Sequence, residues 1–184
     1  MSIEKRTLTK PVEVRKANSG RKIGGYAAIF DSPTDIGGCF QETIAKGAFS
    51  DAVKGDVRAL VDHDSGRVIG RTTAGTLRLK EDDIGLGVEI DLPDTTDGRD
   101  LATLIERGDI SGMSFGFVVT KQTWDESGDV PKRTIEKVEL HEVSVVAFPA
   151  YDDTSIAMRS LDEVRKEKRT SNYTAASKRI AERK

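Results

Sequence analysis

The sequence predicts an α+β protein built on a closed or nearly closed β-barrel of at least six mostly antiparallel strands, with helices at its flanks. Three observations support this fold class. At least six short segments are rich in β-type residues, only two segments have helical character, and helices and strands do not alternate as in a doubly wound parallel sheet. The Gly24-Gly25 pair inside one strand segment would also bend that strand, as a barrel requires.

Length and composition indicate one domain with an appendage. The chain has 184 residues, of which 36% are hydrophobic and 33% are charged, so part of its length is expected to stay outside the core. We predict an N-terminal extension or edge strand over residues 1–21 and a compact domain over 22–158. A charged, flexible or helical tail is predicted over 159–184.

Charge, apolar content and cysteine content indicate which partners and which compartment to expect. The formal net charge of −2 gives no reason to expect a nucleic acid or an anionic membrane as partner. The chain has no apolar run of about 18 residues and no apolar signal core, so a soluble, non-exported protein is expected. The single cysteine, Cys39, excludes an internal disulfide and suits a reducing compartment.

The predicted elements follow the chain in a simple order. Strand segments are expected around Val12 and Val14 and over residues 22–30, 57–63, 76–80, 85–92, 112–120 and 134–148, and residues 64–71 are expected to form a turn and a short strand. Residues 40–53 have the pattern of a loop that enters a short helix, and residues 121–131 that of a polar hairpin connection.

The second predicted helix carries clear start and stop signals. A capping residue lies among positions 94–96, the apolar residues Leu101, Leu104 and Ile105 recur at helical spacing, and Gly108 can end the helix in the left-handed conformation. These apolar residues are predicted to contact the core of the domain.

Ser114 lies in an unusual strand. Alternation along residues 112–117 sends Met113, Phe115 and Phe117 to one face, whereas the other face carries Ser114 with a glycine two positions away on each side. Glycine weakens a strand, so the pattern indicates that another group approaches this face closely.

A histidine and a carboxylate could join this hydroxyl. His63 stands at the end of an apolar strand segment, and Glu142 is predicted to share the inward face of the long strand with Leu140, which leaves His141 on the opposite face. A buried glutamate needs a partner. Ser114, His63 and Glu142 are the residue types that acyl transfer requires, because the imidazole takes the serine proton and the carboxylate orients the imidazole.

Other sites are less well supported by the spacing. Cys39 could act as a thiol nucleophile with His63 as base, but it stands in a glycine-rich turn. A metal site built from His63, Asp64 and His141 lacks the short-range spacing of zinc enzymes, so no metal or other cofactor is predicted. The acidic run at 81–83 has the pattern of a hairpin tip and not of a calcium loop.

Five linked motifs resemble those of the prohead maturation proteases of tailed bacteriophages. They are GYAAIF near Gly25, AKGAF near Gly47, VDHDSGRVIGRT around His63, GDISGMSFGF around Ser114 and LHEVSVVAFPAY around Glu142, and together they span about residues 22–153. The resemblance implies a serine endopeptidase related in fold to the herpesvirus assemblin proteases. It also implies cleavage of the scaffold, or of the scaffolding segment of the major capsid protein, inside the immature shell in the bacterial cytoplasm.

The resemblance also implies roles for single residues. The family's catalytic histidine corresponds to His63, its nucleophile to Ser114 in MSFGF and its third member to Glu142 in HEVS. The herpesvirus relatives use a second histidine as third member, which leaves His141 as a competitor. Arg71 could act through its backbone or hold a water near the oxyanion, although a surface ion pair is the simpler interpretation.

Two further expectations rest on analogy. The assemblin relatives dimerise through helices near the active site, so part of the apolar helix face at 101–105 could belong to a homodimer interface. The basic tail could be a self-cleavage or targeting segment. A noncatalytic scaffolding or capsid-interaction protein that retains the protease barrel is the alternative function, and its basic tail would then dock to an acidic partner.

Overall fold

The computed structural model describes residues 3–8, 13–17 and 20–147, and single positions at 162, 165, 166, 169, 170 and 173. Within these residues the chain forms eleven strands and one α-helix, α1 (Thr96–Arg107). The strands are β1 (Glu4–Leu8), β2 (Glu13–Ala17), β3 (Gly20–Ile29), β4 (Thr34–Ile36), β5 (Phe40–Ile44), β6 (Arg58–Val61), β7 (Asp64–Arg71), β8 (Leu77–Glu81), β9 (Gly85–Asp91), β10 (Gly112–Asp125) and β11 (Lys132–Val146).

The strands form two sheets, and neither closes into a barrel. The large sheet has seven strands in the order β1-β10-β11-β5-β4, and β6 and β7 extend it beside β11. The small sheet has the order β2-β3-β9-β8. The predicted barrel is therefore wrong: β2, β3, β8 and β9 pair only with one another in the described part of the chain, so the strands divide between two separate sheets instead of forming one closed ring.

The prediction of more than one flanking helix also needs correction, whereas the eleven strands agree with the expected minimum of six. The long strand β11 takes β10 as an antiparallel partner and, on its other side, β5 and then β6 as parallel partners. The segment 40–53, predicted to enter a helix, instead forms β5 and only one 3-10 turn, Ala52–Lys54. Within residues 20–147, α1 is thus the only α-helix beside the sheets.

The core lies between the two sheets. The small sheet contributes mainly aliphatic side chains to it, and the large sheet contributes aromatic and branched ones. Buried residues of the small sheet are Ile23, Ala27, Ala28, Leu77, Leu86, Val88 and Ile90, and those of the large sheet include Met113, Phe115, Phe117, Ile135, Leu140, Val143 and Val145. Met113, Phe115 and Phe117 thus share one face of β10, as the alternation predicts.

Helix α1 follows its sequence signals. Thr95 caps the N-terminus by accepting a hydrogen bond from the Gly98 amide, and Gly108 ends the helix at φ 82°. Leu101 and Ile105 are buried against the core, which confirms the prediction that these residues are core contacts. No helix among the described residues has both the length and the apolar character needed to span a bilayer.

A β-bulge at His141 interrupts the alternation of β11. Gly116 pairs with Glu142, but the next residue of β10, Phe117, pairs with Leu140, so His141 is the extra residue. Leu140 and Val143 belong to the core, whereas Glu142 lies on the other face of the sheet. The prediction that Glu142 shares a face with Leu140 is therefore wrong, because the bulge exchanges the faces.

Four buried charged side chains join three strands of the large sheet. Glu4 and Arg6 come from β1, Glu42 from β5 and Arg133 from β11, and each is at most 6% exposed. Arg6 donates to Glu42 at 2.6 and 2.9 Å and to Glu4 at 2.8 Å. Arg133 donates to Glu4 at 2.7 and 2.8 Å and to Glu42 at 2.8 Å. We call this set the buried ion cluster.

The buried ion cluster is electrostatically balanced. Burial alone raises the pKa of Glu4, but the hydrogen bond and charge of Arg133, with those of Arg6, lower it below its ordinary value of 4.5. Both guanidinium groups also lie over aromatic rings, Arg6 at 5.6 Å from the Phe117 centroid and Arg133 at 5.7 Å from that of Trp124. The cluster therefore fixes β1 to the rest of the sheet.

The predicted domain boundaries at 21/22 and 158/159 stay predictions. Most of the predicted tail lies outside the described residues. Those of its positions that are described have helical backbone, and Arg165 donates to Glu126 at 2.9 Å.

We expect Glu42→Gln to lower the free energy of unfolding by about 3–5 kcal/mol, because the isosteric amide leaves buried arginine charge uncompensated. The matched control is Glu89→Gln, which breaks exposed ion pairs with Lys22 and Arg78. That control should lower the free energy of unfolding by about 1 kcal/mol or less. Chemical denaturation measures both values, and equal losses for the two variants would contradict the role of the buried ion cluster.

Candidate active site

His63 lies in a two-residue turn between β6 and β7. Asp62 and His63 have φ values of 49° and 60°, the left-handed region that a type I′ hairpin turn requires at both positions. Asp and His adopt this region more readily than most residues with side chains. The Asp62 amide donates to the Val145 carbonyl at 3.0 Å, and Asp62 Oδ1 accepts from the Ala147 amide at 3.0 Å. The turn is thus fixed against β11, just beyond the strand in which His63 was predicted.

The imidazole of His63 contacts Glu142 directly. Nδ1 and Glu142 Oε1 are 2.6 Å apart, and the two side chains are only 10% and 12% exposed. An ionised carboxylate only accepts hydrogen bonds, so Nδ1 is the nitrogen that carries the proton. Nε2 is buried and has no hydrogen-bond partner within the described part of the chain. In the neutral ring, Nε2 is therefore an acceptor without a donor.

Ser114 lies on the neighbouring strand with its hydroxyl engaged elsewhere. It is 0% exposed, and its Oγ donates to the Arg6 carbonyl of β1 at 2.9 Å. In the two strand pairs it stands opposite Thr7 on β1 and Ser144 on β11. The structure thus joins His63 and Glu142 by a hydrogen bond, while Ser114 is one strand away and bonded to Arg6.

The glycines that flank Ser114 make room for side chains of β11. A Cβ at Gly116 would lie 2.5 Å from Glu142 Oε1, and one at Gly112 would lie 3.1 Å from Val146 Cγ2. The expected close approach to this face therefore exists, and the groups that approach are the Glu142 carboxylate and the Val146 side chain.

The competing candidates occupy other surroundings. His141 lies on the bulge, and its Nε2 is 3.9 Å from the exposed Glu139. Cys39 packs against the cluster of Ile36 and Phe40 and donates its thiol hydrogen to the Gly37 carbonyl at 3.4 Å. Asp64 Oδ1 accepts from the Gly66 amide at 2.8 Å. No group of three or more His, Cys, Asp or Glu side chains suited to a metal ion occurs among the described residues.

Two further sequence predictions concern surface features. Arg71 forms a two-pronged ion pair with Asp56 at 2.7 and 2.6 Å, which confirms the simpler interpretation of this residue. The acidic run at 81–83 does form a hairpin tip, between β8 and β9. There Glu81 accepts from the Gly47 and Phe49 amides.

Sequence reasoning missed two residues that touch the site. Ser144 donates to Glu142 Oε2 at 2.6 Å and accepts from the His63 amide at 3.2 Å. Its position two residues after Glu142, on the same face of a strand, could have identified it. Arg6 gave no such signal, because alternating charges in a short N-terminal segment are typical of a solvent-exposed strand.

The fold is that of a phage capsid protease. The solved structure of the bacteriophage T4 capsid assembly protease superposes with a TM-score of 0.57, covering 79% of this chain and 97% of that one. The two sequences are 14% identical, so this likeness concerns the fold alone.

Sequence comparison gives the family. The family model of the caudovirus prohead serine proteases matches residues 10–167. The prohead protease of Enterobacteria phage HK97 is 31% identical over 158 residues, 83% of this chain and 67% of that protein. The prohead protease of Escherichia phage T5 is 32% identical over 96 residues, 52% of this chain and 42% of that protein. The chain belongs to the caudovirus prohead serine protease family, whose members are proteases of phage prohead maturation.

We expect Gly116→Ala to lower the free energy of unfolding by about 1–3 kcal/mol, because the added methyl group overlaps the Glu142 carboxylate. The same change in a Glu142→Ala background should lower the free energy of unfolding much less, since the Glu142 carboxylate is then absent. Gly128→Ala is the control, because its nearest neighbour would be 4.0 Å away. Denaturation curves measure all variants, and an equal cost in both backgrounds would contradict the explanation.

The ion pair at Arg71 should be visible in a pH titration. The hydrogen bonds from its guanidinium lower the pKa of Asp56 from 3.8 to about 2. The pair therefore favours the folded state above about pH 4, and this contribution disappears as the pH falls toward 2. We expect Arg71→Gln to return the pKa of Asp56 toward 3.8, measured from the carboxyl carbon by NMR. Arg58→Gln is the control. The Arg58 guanidinium lies 3.6 Å from Asp56, so this variant should change the pKa of Asp56 less.

Proposed function

We propose that this chain is a serine endopeptidase in which Ser114 is the nucleophile, His63 the general base and acid, and Glu142 the residue that orients His63. The observation that carries the proposal is the 2.6 Å hydrogen bond between His63 Nδ1 and Glu142 Oε1. It directs the other ring nitrogen, Nε2, to act as a proton acceptor. Nε2 has no competing donor among the described residues.

The reaction follows from these roles. Ser114 Oγ attacks the carbonyl carbon of the scissile peptide bond while its proton passes to His63 Nε2, and a tetrahedral oxyanion forms. The C–N bond then breaks, and the amine leaves with the proton from Nε2. Water attacks the acyl ester, giving its proton to Nε2, and collapse of the second intermediate returns a proton to Ser114 Oγ. Glu142 stays ionised and stabilises the imidazolium in both halves.

The nucleophile must first change its hydrogen bond. Ser114 Oγ donates to the Arg6 carbonyl, and the reaction requires its proton to be directed at His63 Nε2 instead. A rotation about the Cα–Cβ bond of Ser114 changes the direction of the hydroxyl without moving the backbone. The described arrangement is therefore a resting state of the nucleophile.

The substrates are proposed from the relatives. The HK97 and T5 relatives are named prohead proteases, and the T4 protein is a capsid assembly protease. We infer that this chain cleaves the scaffold protein, or the scaffolding segment of the major capsid protein, and itself, inside the assembling prohead in the host cytoplasm. An extended substrate would bind mainly through its backbone, as strand-like peptides do. A homodimer remains a prediction.

We expect Ser114→Ala and His63→Ala each to reduce cleavage about 10³-fold or more, because the two groups act as one unit. Glu142→Gln should cost less if the ring stays in place. The assay is co-expression with the neighbouring capsid protein, followed by intact-mass measurement of both chains. His141→Ala is the control and should retain nearly full activity.

Two outcomes would change the proposal. Wild-type rates for Glu142→Gln together with loss of activity in His141→Ala would transfer the third role to His141. Unchanged masses of both chains with folded wild-type protein would favour the noncatalytic capsid-interaction protein.

A further inference from the structure

Ser144 occupies a central position beneath the candidate site. It is 0% exposed and lies on β11, opposite Ser114 on β10 and Leu60 on β6. Because residues two apart in a strand share a face, its side chain lies beside that of Glu142. The three strands that carry Ser114, Glu142 and the His63 turn therefore meet at this residue.

The Ser144 hydroxyl holds the carboxylate. Its Oγ donates to Glu142 Oε2 at 2.6 Å, while Oε1 of the same carboxylate accepts from His63 Nδ1. Each carboxylate oxygen thus has its own donor, and a hydrogen bond to an ionised acceptor is about twice as strong as a neutral one. With Gly116 below it, the carboxylate has little freedom to rotate away from the imidazole.

The same oxygen also holds the main chain of the His63 turn. Ser144 Oγ accepts from the His63 amide at 3.2 Å. A serine hydroxyl has one hydrogen and two lone pairs, so donation to Glu142 leaves lone pairs free for this amide. One atom therefore fixes both partners of the His63–Glu142 hydrogen bond, the carboxylate through its second oxygen and the histidine through its backbone.

We propose that Ser144 is a positioning residue that sets the tautomer and orientation of His63 through these two hydrogen bonds. The inference rests on the proposed function for its effect on catalysis, but the effect on the ring itself does not depend on activity. An imidazole whose carboxylate partner can turn away distributes its proton between both nitrogens, and only the form with an unprotonated Nε2 can accept the serine proton.

The first test is kinetic. Ser144→Ala should lower kcat about 10–100-fold, because a small misplacement of a reacting group can cost about 10²-fold, and should leave KM nearly unchanged because Ser144 is buried. Ser144→Thr keeps the hydroxyl and should recover part of kcat. Val145→Ala is the matched control, since Val145 is equally buried on the same strand but faces the core. It should lower the thermal stability without lowering kcat below the melting transition.

The second test measures the tautomer of the His63 ring directly by NMR. The chain has two histidines, so a spectrum of ¹⁵N-labelled histidine contains two rings, and His141→Gln assigns them. In the Ser114→Ala background we expect His63 to carry its neutral-form proton on Nδ1. Adding Ser144→Ala should produce a mixture of the two tautomers, visible as a shift of both ring nitrogens toward each other.

The two tests separate the two proposals. If wild-type protein cleaves no substrate, the proposed function fails, and the ¹⁵N spectrum still decides the role of Ser144. An unchanged tautomer in Ser144→Ala would overturn the positioning role, whatever happens to the rate. A wild-type kcat in Ser144→Ala, measured with an active parent, would overturn it equally.

Discussion

The bulge at His141 is the constraint on which the site depends. β11 is the long central strand of the large sheet, and from Val138 to Leu140 it directs alternate side chains into the core between the sheets. One extra residue then exchanges the faces, so that Val143 and Val145 continue the core while Glu142 and Ser144 reach the opposite side. Without the bulge, regular alternation would direct Glu142 to the face of Leu140 and into the core, where an ionised carboxylate without a partner is costly.

Local signals in the sequence were sufficient for several elements. The capping signals at 94–96 and Gly108 predicted α1, the acidic run at 81–83 predicted a hairpin tip, and the alternation around Ser114 predicted that Met113, Phe115 and Phe117 share one face of β10. Each of these features depends on neighbours within a few residues. Glu142 was selected by an argument about faces that the bulge invalidates, yet its carboxylate does contact His63, because the bulge and the short turn act together.

Long-range pairing explains what the sequence could not supply. Whether many strands form one barrel or two sheets depends on partners far apart in the chain, such as the parallel pairing of β11 with β5 and β6. The burial of β1 was missed for the same reason: Glu4 and Arg6 have the pattern of solvent-exposed residues, and only Glu42 and Arg133 make their burial tolerable. A buried charge is recognisable only when its partners are known.

The turn that carries His63 has a mechanical consequence. A connection of two residues, held at Asp62 by two hydrogen bonds and at His63 by one, leaves the backbone of the turn little freedom to move. Because Ser144 and Glu142 both belong to β11, that single strand anchors His63 through its main chain and through its ring.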